Sequence, residues 1–435
     1  MMPPQVRAAP SGLSERQLVV LLAATQLLAF SDRFLITLVA QPLKTDLALS
    51  DAQLGVLQGS AFALLNAAGM PWAGGIADAG RRRILLMASV LLWSAATLVC
   101  GLATSFAILL MARACLGLGQ AAVAPAALSL MAHRLPRRRL GRAVSLLTAG
   151  ASLGRSLALL AGGAALAWLT AARDLTLPGY GPLHPWQALF LLACLPNVAL
   201  LLGLRRIVEP PAAPRRDGRP ALAWILRHRA AYGPHFGAAA AAVLIGQTLT
   251  AWAPTFYVRV HGLTPAEAGL RLGLVVLVAA PIGHFAGGRW LDRARTFAPR
   301  RAASHGLALG LAAAPACTAA MVLAGDHALS LAAFAGLVAV LGFTSPPALA
   351  GLQLLTPRAL RGRVSAAFVA GVTLVAFGAG PALVGLINDR VVGPAQVGTA
   401  MLAVFAAAAS VGIILALATR PLRGHRRAAR RTGRG

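Results

Sequence analysis

The chain has 435 residues, of which 58% are hydrophobic and only 12% charged, with a formal net charge of +28. Soluble domains carry about 25% charged residues, so this composition belongs in a lipid bilayer. The excess of arginine would suit a nucleic-acid surface, but it falls in short clusters between apolar runs and follows no single soluble face, which argues against that class.

A spanning helix needs about 20 apolar residues. That rule predicts twelve spans, at residues 17–41, 52–77, 84–104, 106–133, 140–168, 186–206, 233–258, 264–291, 301–324, 328–356, 362–390 and 395–419. The fold class expected is an all-α membrane protein of two pseudo-symmetric six-helix bundles. In that division residues 1–16 are an N-terminal tail, 17–206 the first bundle, 207–232 a basic linker, 233–419 the second bundle and 420–435 a basic tail. The first run is too long for a signal core and lacks a small-residue cleavage site, so it reads as a retained helix. The linker is rich in Pro and Arg, with Ala221–Leu226 expected as a short surface helix.

The loops set an orientation. Arginine clusters at Arg81–Arg83, Arg134 to Arg142, Arg205 to Arg229, Arg293 to Arg301, Arg358 to Arg363 and from Arg420 onward all fall on one side. Lys44, Arg173, Arg259, Arg271 and Arg390 are the exceptions. The positive-inside rule then puts both termini in the cytoplasm, with the chain in the inner membrane. The four cysteines, Cys100, Cys115, Cys194 and Cys317, lie in apolar runs without Cys-x-x-Cys spacing, so they read as packing residues. Neither a metal nor a cofactor is expected.

Between the second and third spans lies Gly74-Gly75-Ile76-Ala77-Asp78-Ala79-Gly80-Arg81-Arg82-Arg83. It is echoed about half the chain later by Gly288-Arg289-Trp290-Leu291-Asp292-Arg293. A glycine four residues before an aspartate suits two helix ends in close approach, with the carboxylate facing arginines and helix-end dipoles. A second pair repeats at nearly the same offset, Pro125 to Pro136 with Gly141-Arg142-Ala143-Val144-Ser145 against Pro347 to Pro357 with Gly362-Arg363-Val364-Ser365. Two such matches indicate a duplicated unit.

These stretches resemble the major facilitator superfamily. Gly74 to Arg83 looks like its loop 2–3 motif, with one residue fewer between Asp78 and Gly80 and Ala79 where arginine is usual. Arg113-Ala114-Cys115-Leu116-Gly117-Leu118-Gly119 looks like its helix 4 motif. Phe30-Ser31-Asp32-Arg33, Gly117 to Ala126, and Trp252-Ala253-Pro254-Thr255-Phe256 running to Gly262 are similar to the spinster-like branch; the anion:cation symporter family shares the Asp-Arg pair. Gln120 stands where the spinster-like pattern has Glu. The resemblance implies a carrier working by alternating access, with Gly74, Asp78, Arg81, Arg82, Gly288, Asp292 and Arg293 as cytoplasmic gate motifs. The implied substrate is a lysolipid- or sphingolipid-like amphiphile, or, on the symporter reading, a small organic anion.

Charge inside the spans gives the candidate site. An ionisable side chain near the bilayer centre costs at least about 2.5–3.5 kcal/mol, which selects Asp32, Arg33, Arg113 and Arg155. Asp32 and Arg33 project about 100° apart on a helix and pair poorly with each other, so Asp32 is expected to face Arg113, with Arg155 as the competing partner. Arg155 shares a polar stripe with Thr148 and Ser152, and Gln120 shares a face with Arg113. One carboxylate against three guanidiniums suits an anionic or zwitterionic group. Asp32 is either a proton carrier or half of a fixed strut. Asn66, Gln247 and Trp252 are further cavity candidates, and His284 is either a packing residue or a proton carrier. No His-Glu-x-x-His, Gly-x-Ser-x-Gly or phosphate loop is present, so an enzyme is not expected. The expected partners are the bilayer, a small-molecule or lipid substrate and protons, with the chain a monomer.

Overall fold

The computed structural model describes residues 13–172, 176–177, 179–209, 221–297, 301–357 and 360–419. The basic tail 420–435, most of the N-terminal tail and the Pro-rich middle of the linker lie outside the described residues, as does the side chain of Asp78.

Helix α1 (Glu15–Leu38) is followed by the short α2 (Ala40–Asp46). The second expected span is broken in two. Helix α3 (Asp51–Gln58) starts with a capping box: Gln53 N–H donates to Ser50 Oγ at 3.1 Å, and Ser50 N–H donates to Gln53 Oε1 at 2.9 Å. It ends at Gly59, whose φ of −129° and ψ of −79° leave the helical region, and α4 (Ser60–Asp78) resumes at once. Helix α5 (Arg82–Gly101) is continuous. The fourth span divides into α6 (Phe106–Gln120) and α7 (Val123–Arg134), because the Pro125 ring displaces the carbonyl four residues back, that of Ala121. Helix α8 (Arg137–Ala171) is the longest, at 35 residues.

A two-strand turn, Thr176–Leu177 antiparallel to Gly181–Pro182, joins α8 to the sixth span. This small β element was not legible in the sequence. The sixth span divides at Cys194 into α9 (Pro185–Ala193) and α10 (Leu195–Leu204), where Pro196 acts as Pro125 does. The short helix expected in the linker is α11 (Ala221–Arg227). Then follow α12 (Arg229–His261), α13 (Pro265–Phe297), α14 (Ala302–Leu323), α15 (His327–Leu355), α16 (Arg361–Ile387) and α17 (Val397–Ala418). One π turn, Asn388–Val392, extends α16. Among the described residues eleven helices are long and apolar enough to cross a membrane; with the run broken at Gly59 they account for the twelve expected spans. Large apolar side chains such as Trp72, Trp168, Leu323 and Ile414 are exposed, as a hydrocarbon medium permits.

The chain forms two compact units. The first comprises Met1–Leu35, Leu65–Ala158 and Trp168–Arg216; the second comprises Ile36–Leu64, Leu159–Ala167 and Asp217–Gly435. In the first unit α8 lies against α1 through Gly150 and Gly154, where an added Cβ would come within 2.5 Å of the Ala23 carbonyl oxygen and 2.2 Å of that of Leu27. Only a small-residue stripe allows backbones that close. In the second unit α3 uses the same device on α16: a Cβ at Gly55 would lie 2.3 Å from the Pro381 oxygen, and one at Gly59 2.1 Å from that of Phe377.

Candidate functional site

The first unit gathers the charges expected within the spans. Asp32, Arg33 and Arg113 are at most 9% exposed, and Gln120 is 4% exposed. Arg33 donates from Nε at 3.1 Å and Nη2 at 3.0 Å to Gln120 Oε1, and Gln120 Nε2 donates to the Ala29 carbonyl at 2.7 Å. The glutamine therefore holds the guanidinium as a carboxylate would, without the charge. The Arg33 guanidinium also lies over the Phe30 ring, 4.4 Å from its centroid, and Arg155 over Phe34 at 5.1 Å. Thr148 and Ser152, on the stripe with Arg155, are exposed.

Asp32 and Arg113 act on each other by charge, but a hydrogen bond to the carboxylate comes from another residue. Asn197 Nδ2 donates to Asp32 Oδ2 at 3.0 Å, while Arg113 Nη2 donates to the Arg33 carbonyl at 3.1 Å. The guanidinium is drawn to a backbone carbonyl on the same helix, and a neutral amide from α10 reaches the carboxylate instead. Asn197 is 1% exposed. Its only sequence signal was an amide just after Pro196 in a largely apolar run. Asn66, 1% exposed, donates to the Gly117 carbonyl at 2.9 Å, so it braces α6 between Arg113 and Gln120.

In the second unit, Trp252 of α12 is fully buried and donates from Nε1 to the Pro381 carbonyl of α16 at 3.0 Å, which packs the two helices together. Gln247 is half-buried with an unbonded Oε1. His284 is exposed, and its Nδ1 lies 2.6 Å from the Ala280 carbonyl of its own helix.

The motif residues are distributed unevenly. Arg82 is 1% exposed and ties α5 to α7, with Nε donating to Ser129 Oγ at 2.8 Å and Nη2 3.3 Å from His133 Nε2. Arg83 N–H donates to Glu209, whereas Arg81 is exposed. Asp292 and Arg293 are exposed at the end of α13. A Cβ placed on Gly74 or Gly288 would meet nothing within 4 Å, so neither glycine is in the close helix approach expected of it.

A second polar knot was missed. Asp51, 0% exposed at the start of α3, accepts from Arg259 Nη1 at 2.8 Å and Nη2 at 2.7 Å, and also from Lys44 Nζ and Asn388 Nδ2. Asp389 then caps α3: its carboxylate accepts from Asp51 N–H at 3.0 Å and Ala52 N–H at 2.7 Å. The trace in the sequence was that Lys44 and Arg259 both broke the one-sided arginine pattern.

The Major Facilitator Superfamily profile matches residues 22–381. The chain belongs to the major facilitator superfamily. It is 29% identical over 409 residues to an MFS-type efflux pump of Mycolicibacterium smegmatis, covering 91% of this chain and 90% of that one. It is 28% identical over 180 residues to the niacin transporter NiaP of Acinetobacter baylyi, covering 41% and 37%. Among solved structures, a bacterial homologue of the human lysosomal transporter Spinster, inward-facing and unoccupied, superposes with a TM-score of 0.73 at 23% identity, covering 93% and 94%. A D-xylose–proton symporter gives 0.68 at 16% identity, covering 92% and 96%. This major facilitator protein is thus an all-α, multi-pass membrane transporter, with spinster-like structural neighbours.

Proposed function

We propose that the chain is a secondary active carrier for an anionic or zwitterionic amphiphile, driven by protons and working by alternating access. On this reading residues 17–206 and 233–419 are its two halves, both termini are cytoplasmic and one copy suffices. The carrying observation is the buried set Asp32, Arg33, Arg113 and Gln120 with Arg155 beside it. Burying such groups costs at least about 2.5–3.5 kcal/mol each, and apolar residues would spare that cost. Their retention, with only one carboxylate among three guanidiniums, supports a site that receives negative charge from elsewhere. Guanidinium forks match carboxylate and phosphate oxygens.

The neutral partner of Asp32 favours the carrier role over the strut. An aspartate locked to arginine would have to break an ion pair to take a proton, whereas Asn197 can bond either protonation state. Gln120 supplies no second carboxylate, so a single acidic group carries the coupling. Gly74 and Gly288 each have open space where a side chain would stand, which supports reading their loops as free to move.

Proteoliposome flux against a panel of lysolipids and small organic anions, with and without a proton gradient, tests the proposal. Gradient-dependent movement of a lysolipid supports it. Movement of cations alone would contradict it, and movement of small carboxylates or organophosphates alone would select the second reading, an anion symporter.

A further inference from the structure

The surface of the first unit carries an apolar cleft apart from the buried charged cluster. A cavity of about 400 Å³ runs between α4, α5 and α6, and a second of about 880 Å³ continues it toward the Arg81 end. Both share the walls Trp72, Ile76, Leu85 and Ala88; the inner end closes on Leu118, and Arg81 stands at the mouth. Arg81 is the only charged residue among the described ones lining either cavity. Neither Asp32, Arg33, Arg113 nor Arg155 lines it.

We infer that this cleft binds one anionic phospholipid, with an acyl chain along Trp72 and Ile76 and the phosphate on Arg81. The geometry fits in three respects. First, the volumes are those of ligand clefts, which run from about 300 to 1,000 Å³, and the walls are almost wholly apolar, as a hydrocarbon chain requires. Secondly, Trp72 is 79% exposed at the rim, the most open of the large apolar side chains among the described residues, which places an aromatic face against whatever occupies the groove. Thirdly, the three arginines of the loop differ. The Arg82 guanidinium is spent on Ser129 and His133, and that of Arg83 donates to the Ile207 carbonyl at 3.4 Å while its backbone N–H donates to Glu209. Among the described residues no hydrogen bond or ion pair engages the exposed Arg81 guanidinium. It stands where α5 begins, so its charge adds to the positive end of the helix dipole. An acyl chain with a neutral head would leave that charge unmatched; a free anion would leave the groove unfilled. The occupant that satisfies both is a lipid with a negative head.

Native mass spectrometry of the purified full chain in detergent tests this, with palmitoyl-oleoyl phosphatidylglycerol and phosphatidylcholine as probes. One phosphatidylglycerol should be retained in preference to phosphatidylcholine. Arg81→Gln should weaken its retention about tenfold, the value of a charge-assisted hydrogen bond. Gly75→Leu should displace both lipids, since a side chain there has open space to grow into the groove; Ala88→Phe fills the opposite wall if that variant does not fold. Equal retention of the two lipids, undiminished phosphatidylglycerol on Arg81→Gln, or displacement of phosphatidylglycerol by glycerol phosphate alone would each overturn the inference. No step of the test reads transport, so its outcome is separate from that of the carrier proposal.

Discussion

Arg259 grips Asp51 with both terminal nitrogens, at 2.8 and 2.7 Å, on a carboxylate with no exposed surface. The same guanidinium donates from Nε to Gln41 Oε1 at 2.8 Å and from Nη1 to the Pro394 carbonyl at 3.2 Å. It thereby ties α2, the start of α3 and the segment between the π turn and α17 to the end of α12. Lys44 is 19% exposed at its side chain against 9% for Arg259, so water can replace it more easily. Removing one partner of a buried pair costs about 3–5 kcal/mol. Arg259→Ala is therefore expected to lower the thermal unfolding midpoint in detergent well below that of Lys44→Ala. Equal midpoints for the two variants would mean the knot is not the structural tie described.

Gln120 gives a second prediction. Its Oε1 accepts two bonds from Arg33, and Gln120→Leu would leave those donors facing an apolar side chain. A lost bond to a buried charged group costs about 1.5–3 kcal/mol. Gln120→Glu keeps the acceptor and adds the charge. Thermal unfolding should thus rank Gln120→Glu close to the parent and Gln120→Leu well below it. In flux assays Gln120→Glu should also alter the pH dependence of transport, because a second carboxylate then lies beside the guanidiniums.

Two glycines separate packing from gating. A methyl at Gly59 would lie 2.1 Å from the Phe377 oxygen, so Gly59→Ala forces α3 off α16; overpacking of this kind costs about 1–3 kcal/mol or more. A methyl at Gly74 meets nothing within 4 Å, and alanine is the better helix residue by about 0.5–1 kcal/mol. Gly59→Ala should express poorly or melt early. Gly74→Ala should melt at or above the parent temperature yet transport more slowly, if the glycine serves a conformation in which the loop closes. Unimpaired transport by Gly74→Ala would remove the glycine from the gate.

Apolar run length made the spans readable, and arginine spacing made the loops readable, because both are properties of adjacent residues. The charged cluster was readable for the same reason: Asp32, Arg33, Arg113 and Arg155 stand out singly against hydrocarbon. Pairing was not readable. Asn197 is 165 positions from Asp32, and Arg259 is 208 from Asp51; no local pattern encodes which amide or guanidinium arrives. The break at Gly59 was hidden too, since the run reads as one apolar helix until α16 presses on it. Trp252 was expected at the substrate cavity from its place on the seventh span; that its N–H donates to Pro381, 129 positions away, was not readable.

The central claim is that Asp32 carries the coupling proton. Asp32→Asn keeps an oxygen to accept from Asn197, so the local bond survives while the titratable group is lost. Proteoliposome flux of this variant, measured across a pH gradient and by equilibrium exchange, is the direct measurement. The account predicts that gradient-driven accumulation is lost while exchange persists; accumulation that follows the gradient as in the parent would contradict it.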